Sequence, residues 1–125
     1  MHEMGIALEI LEIVKASIPP NMKGANVLSI KLRVGKLAAV VPDSLRFCFE
    51  IITQETPLSE ARLEIEEVPV VARCKHCHSS WEIKEPAFAC PLCGSGSIEI
   101  LSGRELDIDS IEIEEPEHLN HSGNA

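Results

Sequence analysis

The chain has 125 residues, of which 45% are hydrophobic and 25% charged, so it can bury a core and is not disordered throughout. Its net charge of −9 and few aromatic side chains argue against nucleic-acid binding, because the chain repels phosphates and offers little for base stacking. No apolar run approaches the roughly 20 residues that a membrane span needs. No basic segment followed by an apolar stretch opens the chain either, so we expect a cytoplasmic protein.

The first predicted element is a helix that follows Met1-His2-Glu3 and ends at Pro19-Pro20. Its apolar residues recur at helical spacing in two stripes. Together the stripes predict a helix buried over a wide arc: Met4, Leu8, Leu11, Val14 and Ile18 in one, Ile6, Ile10 and Ile13 in the other.

Residues 27–34 alternate between apolar and polar, which predicts a half-buried strand. Ser29, Lys31 and Arg33 point to the polar side. The apolar face is predicted to consist of Leu28, Ile30, Leu32 and Val34.

A second helix is predicted to begin at Pro42-Asp43, since Pro suits a first helical turn and Asp interacts favourably with the helix dipole. Thr56-Pro57 ends it. Its buried face is predicted to be Leu45, Cys48, Phe49 and Ile52, which makes Cys48 a core residue rather than a ligand or nucleophile.

Residues 60–72 read as a strand whose phase shifts near Val68-Pro69, which indicates a bulge or an edge. Residues 106–113 alternate again, and such a strand needs a partner sheet. We therefore predict an α+β fold in which a small mixed sheet, packed by two helices, carries an inserted zinc-ribbon-like module. The predicted domains are 1–72 with 104–115, the zinc-binding insert at 73–103, and a disordered tail at 116–125.

Four of the five cysteines form two C-x-x-C pairs with 12 residues between the pairs: Cys74 and Cys77, Cys90 and Cys93. In a reducing compartment this spacing indicates metal ligation, since two thiolates in a tight turn hold one side of a tetrahedral ion. Gly94 can supply the positive φ that such a turn uses. We predict a structural Zn²⁺ in a closed, non-catalytic shell. A redox dithiol and a rubredoxin-like iron site are the alternatives.

His2 belongs to a second arrangement with metal-binding chemistry. A free α-amine, the deprotonated amide of residue two and its imidazole Nδ1 place three nitrogens near one plane, which suits Ni²⁺ or Cu²⁺. Such binding releases protons, so its affinity rises with pH. Taken alone, a His at this position is more often a solvated terminus or an N-terminal helix residue.

The chain resembles the HypA/HybF family of hydrogenase-maturation nickel metallochaperones over about residues 1–115. The resemblance rests on the Met1-His2-Glu3-Met4 start and the two C-x-x-C pairs. It also rests on two segments between the helices, Val34-Gly35-Lys36-Leu37 and Val41-Pro42-Asp43-Ser44-Leu45-Arg46-Phe47.

The resemblance implies a non-enzymatic protein that accepts Ni(II) as cargo and delivers it to the nickel-iron site of hydrogenase. It implies nickel ligation by the Met1 amine, by His2 and by the Glu3 backbone amide, and zinc ligation by the four cysteines. The implied partners are the maturation GTPase HypB and the hydrogenase large subunit; a homodimer is left open. His76, inside the first pair, and His78, just after it, are interpreted as solvated loop residues.

A zinc-ribbon adaptor for protein or nucleic-acid partners is the competing function. The ribbon itself supports it. The net acidity of the chain opposes it, and residues 73–103 carry three basic and three acidic side chains, which is no basic surface.

Overall fold

Two α-helices and six β-strands form the regular structure of the described residues, 2–114, in a computed structural model of the protein. Two single 3₁₀ turns lie at Pro20–Met22 and Lys36–Ala38. Within this range no helix has both the length and the apolar character needed to cross a membrane. The helices and strands are α1 (Glu3–Ser17), β1 (Val27–Gly35), α2 (Pro42–Ile52), β2 (Arg62–Val68), β3 (Val70–Cys74), β4 (Ser80–Ile83), β5 (Ile98–Ser102) and β6 (Leu106–Ile113).

The strands form two three-stranded sheets, with the orders β2-β1-β6 and β4-β3-β5. The predicted return of the last strand to the first sheet is therefore confirmed, and so is the α+β class. The tail predicted at 116–125 lies outside the described residues, as does Met1.

The chain divides into two compact units. One, which we call the helical unit, consists of Met1–Leu32, Val40–Ile65 and the segment from Ile108 onward. The other, the cysteine unit, consists of Arg33–Ala39 and Glu66–Asp107. The cysteine unit contains the whole of the second sheet, including β3.

Helix α1 packs against α2 and buries one narrow stripe, made of Ala7, Ile10, Leu11 and Val14. The prediction of burial over a wide arc is wrong. Met4, Leu8 and Ile13 are 40%, 47% and 46% exposed. Among the described residues of so small a unit, α1 has neighbours on one side only, so its remaining apolar positions are exposed.

Strand β1 buries Ile30, Leu32 and Val34 as predicted, whereas Leu28 near its start is 40% exposed. Helix α2 begins at Pro42 as predicted. The buried residues of α2 are Leu45 and Phe49, and Thr53, the C-cap residue, is buried on the same side. The Thr53 hydroxyl donates to the Phe49 carbonyl at 2.7 Å. Cys48 and Ile52 flank these residues and are half-buried, which corrects their prediction as core residues.

The strand predicted over residues 60–72 is two strands, β2 and β3, that belong to different sheets. They are separated by Pro69, which has no N–H to donate to a ladder. The irregularity predicted near Val68-Pro69 is this break between the two strands, and a separate register shift lies further on, between Val71 and Ala72 in the pairing of β3 with β5. This second sheet has its own small core, in which Val70, Ala72 and Ile83 are buried beneath Trp81, Ile98 and Ile100.

Candidate metal centre

The four cysteines of the two C-x-x-C pairs meet at one point of the cysteine unit. All four sulfur atoms lie within 4.8 Å of one another. Cys74 Sγ lies 3.6 Å from Cys93 Sγ, and Cys77 Sγ lies 3.6 Å from Cys90 Sγ. A tetrahedral ion with metal–sulfur bonds of about 2.3 Å requires sulfur–sulfur distances of about 3.8 Å. The cluster therefore fits a four-coordinate ion and leaves no position open for a substrate.

The backbone builds the two cysteine turns, which we call knuckles, with the same hydrogen bonds. In the first knuckle (Cys74–Ser79) the Cys74 N–H donates to the Ser79 carbonyl, and the His78 N–H donates to the Cys74 carbonyl. In the second (Cys90–Ser95) the N–H groups of Cys90 and Gly94 make the two corresponding bonds. All four distances are 2.8 or 2.9 Å. The spacing in the sequence thus specifies two copies of one turn.

The residue after the second cysteine of each knuckle has a positive φ. Gly94 has φ 75°, as predicted from its identity. Its counterpart His78 has φ 67°. A side chain with a Cβ is uncommon in this left-handed region, although His is enriched there relative to most residues. The sequence prediction treated His78 only as a loop residue and missed its backbone role.

The first cysteine of each knuckle is buried and the second is exposed. The sulfur of Cys74 accepts hydrogen bonds from the N–H groups of His76 and Cys77, each at 3.3 Å. These bonds favour the thiolate, because they place partial positive charge beside it. The Cys74 pKa is accordingly lowered, with the Cys77 N–H as the main cause.

Ser79 links the two knuckles and was not singled out from the sequence. Its hydroxyl lies 3.2 Å from Cys77 Sγ and 3.5 Å from Cys90 Sγ. The hydrogen bond from Ser79 is the main cause that lowers the pKa of Cys90 to about 6. The corresponding Ser95 hydroxyl instead accepts from the Ser97 N–H at 3.1 Å. No short spacing in the sequence signals a contact that joins residues 11 positions apart.

The pKa of the Cys93 thiol is shifted upward, opposite to the shifts of Cys74 and Cys90. The strongest single influence on Cys93 is the hydrogen bond from the Ser95 backbone, which lowers its pKa. Burial and the three neighbouring cysteine sulfurs outweigh that bond and raise the pKa to about 12. Four thiolates this close repel one another, so full deprotonation requires a cation among them. The cluster is built to exchange protons for a metal ion.

The N-terminal residues lie at the start of α1. His2 is exposed and is the N-cap residue, and its carbonyl accepts the first helical hydrogen bond, from the Ile6 N–H at 3.2 Å. Glu3 is half-buried, and its carboxylate accepts from the Val41 N–H at 3.1 Å. That bond is the main cause of a lowered Glu3 pKa. Val41 immediately precedes α2, so Glu3 ties the beginnings of the two helices together.

Within residues 2–114, the four cysteines are the only group of three or more potential metal ligands whose donor atoms converge. His76 and His78 are exposed. Cys48 is half-buried on α2 and takes no part in the cluster. The predicted zinc ligands are therefore brought together, whereas the described part of the predicted nickel site consists of His2 and Glu3 alone.

Comparison with known proteins gives a consistent result. The family described as "Hydrogenase/urease nickel incorporation, metallochaperone, hypA" matches residues 1–113. The chain is 53% identical over 122 residues to the hydrogenase maturation factor HypA of Desulfatibacillum aliphaticivorans, covering 98% of this chain and 94% of that protein. It is 58% identical over 115 residues to the HypA of Desulfosudis oleivorans, covering 92% of this chain and all of that protein.

The fold has a counterpart among solved structures. The solution structure of the Ni metallochaperone HypA from Helicobacter pylori matches with a TM-score of 0.63 at 20% identity, over 93% of this chain and 100% of that one. The family is one of metallochaperones, which agrees with the prediction that the chain is not an enzyme. The chain belongs to the HypA family of hydrogenase-maturation nickel metallochaperones, and it carries a four-cysteine metal site.

Proposed function

We propose that this protein binds Ni(II) at its N-terminus and delivers it for maturation of the nickel-iron active site of hydrogenase. The proposed donors are the Met1 amine, the His2 amide and imidazole, and the Glu3 backbone amide. The observation that carries the proposal is the position of His2 and Glu3 at the first turn of α1.

The amides at this position take no part in helical hydrogen bonding. The main-chain bonds of α1 begin with the Ile6 N–H, so the N–H groups of residues 3–5 have no main-chain acceptor within the helix, and the Glu3 N–H contacts its own carboxylate. Loss of the amide protons of His2 and Glu3 therefore costs α1 no main-chain hydrogen bond. The positive end of the helix dipole also favours the negative charge of a deprotonated amide. A square-planar nitrogen set of this kind suits Ni²⁺.

The Glu3 side chain supports this site without needing to touch the ion. Its bond to the Val41 N–H ties the first turn of α1 to the segment that precedes α2. Because the Glu3 pKa is lowered from its usual 4.5, this bond stabilises the fold above that pH. The contribution is lost as the pH falls through the lowered value, when the carboxylate becomes protonated.

We assign Zn(II) to the four cysteines, where a closed tetrathiolate shell supplies folding energy and no chemistry. Support comes from the sulfur–sulfur distances of 3.6 Å and from the small core of the cysteine unit. The zinc-binding domain is assigned to residues 73–103, and the nickel-binding domain to residues 1–72 with 104–115. The cargo site and the structural site would then be separate.

An open site built mainly of nitrogens allows a recipient to displace donors one at a time, which a closed thiolate shell does not. The resemblance to HypA proteins supports the GTPase HypB and the hydrogenase large subunit as partners in the cytoplasm. Hydrolysis of GTP belongs to the partner in this scheme.

The test is native mass spectrometry of the untagged protein during titration with Ni²⁺, beside a version that carries one extra N-terminal Gly. The extension removes the amine from its chelating position but leaves His2, Glu3 and the four cysteines in place. We expect one zinc in both proteins and one tightly bound nickel only in the unextended one. Equal nickel uptake by the two proteins, or by a His2→Ala variant, would overturn the N-terminal site.

A further inference from the structure

The cysteine unit has an open groove of about 600 Å³ that takes no part in the metal cluster. Its walls are formed by Ile98 and Ile100 of β5, by Phe88 and Leu37, and by Gly96 and Arg104. No cysteine lines it. The groove therefore has a chemistry of its own, which the nickel and zinc sites leave unexplained.

Apolar side chains stay accessible at this groove. Phe88 is 47% exposed and Leu37 is 39% exposed. Ile98 and Ile100 pack against the buried Val70–Ala72–Ile83 core and remain half-exposed on the groove side. Burial of such side chains by a partner is favourable in proportion to the apolar area removed from water.

Arg104 gives the groove a positive charge. It is the one ionisable residue of the lining, and within residues 2–114 its guanidinium has neither an ion pair nor a hydrogen bond. In a chain with a net charge of −9, an unpaired cation beside apolar walls favours a ligand that carries a carboxylate.

The strand beside the groove is suited to an extended ligand. In the sheet order β4-β3-β5, β5 is an edge strand, so along one side its backbone has no strand partner in the described part of the chain. Ile98 and Ile100 are two residues apart, on one face of that strand. Peptides that add to such an edge use backbone hydrogen bonds for affinity and alternate side chains for specificity.

We propose that this groove docks an extended segment of a partner protein that carries apolar side chains at alternate positions and an acidic residue opposite Arg104. The apolar side chains lie against Phe88, Leu37 and the two isoleucines, and the backbone adds along β5. This docking involves neither proposed metal, so it stands or falls independently of nickel binding.

The test follows ¹⁵N-labelled, zinc-loaded protein by NMR during titration with two synthetic peptides. The acidic peptide is acetyl-Val-Ser-Leu-Ser-Asp-Ser-amide, in which Asp lies on the same face of the extended chain as Val and Leu, and its matched control has Lys in place of Asp. We expect saturable shifts at Gly96, Ile98, Ile100 and Arg104 with the acidic peptide, and at least about tenfold weaker binding of the basic one. Arg104→Glu should reverse that preference, and Phe88→Ser should weaken both peptides.

Two control variants separate docking from general surface effects. Lys84→Glu makes the same charge change as Arg104→Glu in the same unit but outside this groove. Leu92→Ser removes an apolar side chain that is 79% exposed and does not line the groove. Both should bind the acidic peptide like the unaltered protein, and zinc content and amide dispersion show that each variant is folded. The proposal is overturned by the absence of saturable shifts, by shifts centred elsewhere, or by equal effects of Arg104→Glu and Lys84→Glu.

Discussion

The two cysteine knuckles have one backbone and different side chains. Both close with the same pair of N–H to carbonyl bonds, and both place a residue with φ near 70° after the second cysteine. That residue is His78 in the first knuckle and Gly94 in the second. The next residue is a serine in both knuckles. The Ser79 hydroxyl of the first knuckle contacts two cysteine sulfurs, whereas the Ser95 hydroxyl of the second accepts a hydrogen bond from the nearby Ser97 N–H.

The comparison separates what forms the metal site from what adjusts it. Both knuckles have the same backbone hydrogen bonds, and their four sulfur atoms lie within 4.8 Å of one another. The differing side chains change the strain of one turn and the acidity of one thiol without changing that geometry. Substitutions should therefore fall into two classes, those that abolish the site equally from either knuckle and those that act in one knuckle only.

The largest effect is expected from loss of the first cysteine of either knuckle. Cys74→Ser and Cys90→Ser each remove a buried ligand, so a closed four-coordinate shell can no longer form. We expect both variants to lose zinc and the fold of the cysteine unit to the same degree. Trp81, the single tryptophan, lies on that unit's core and reports its unfolding by fluorescence.

Cys48→Ser is the matched control for these variants, because Cys48 is a partly buried cysteine outside the cluster. It should retain one zinc per chain. If either knuckle variant kept its zinc and its Trp81 signal, or if one knuckle proved dispensable, the equivalence of the two turns would be contradicted.

Smaller changes in stability, of opposite sign, are expected from substitutions at the two knuckle residues with positive φ, Gly94 and His78. Gly94→Ala puts a Cβ at φ 75°, and no atom beyond the two adjacent residues lies within 4 Å of that Cβ, so the cost is one of backbone conformation alone. We expect a loss of about 1 kcal/mol in unfolding free energy. His78→Gly should stabilise by about 0.5 kcal/mol, since relief of strain exceeds the added entropy of the unfolded chain.

Urea unfolding of the zinc-loaded variants, followed at Trp81, measures both changes. Gly96→Ala serves as the control, because Gly96 also has open space around its Cβ but no positive φ. Equal shifts for the Gly94 and Gly96 variants would show that φ is not the cause. A destabilising His78→Gly would mean that the imidazole contributes contacts that outweigh the strain.

The knuckles also show how far the sequence alone determines this fold. The C-x-x-C spacing predicted the cluster, because the geometry that joins each pair of sulfurs is local to four residues. Likewise Pro42-Asp43 marked the start of α2, since capping chemistry is local. Properties that depend on distant neighbours were predicted less well. Met4 and Leu8 fit a helical stripe, yet they are exposed because no described residue of the helical unit covers that side of α1.

The structural consequences of Pro69 and Ser79 also depend on distant neighbours, so the sequence alone did not predict them. The interruption at Pro69 was visible in the sequence, but the change of sheet that follows it depends on where β1, β4 and β5 lie. The role of Ser79 depends on a sulfur of the other knuckle, which no pattern near residue 79 contains.

The smallest effect is expected at Ser79 and concerns pH. Its hydroxyl holds the Cys90 pKa near 6, so Ser79→Ala should raise that pKa. Zinc binds the thiolate, and a higher pKa means that protons compete at a higher pH. The variant should therefore release zinc to a chelator at a higher pH than the unaltered protein. The shift should be a few tenths of a pH unit up to about one unit, because one hydrogen bond of several is removed.

Ser95→Ala is the control for Ser79→Ala, since the Ser95 hydroxyl occupies the corresponding place and, within residues 2–114, makes no hydrogen bond to a sulfur. Its backbone bond to the Cys93 thiol is unaffected by the substitution. Zinc release, followed with a coloured chelator between pH 4 and 8, should shift for Ser79→Ala and stay in place for Ser95→Ala. Equal shifts would assign the effect to the turn rather than to the sulfur contact. The absence of any shift would show that, once zinc is bound, the metal rather than the hydroxyl controls the charge on Cys90.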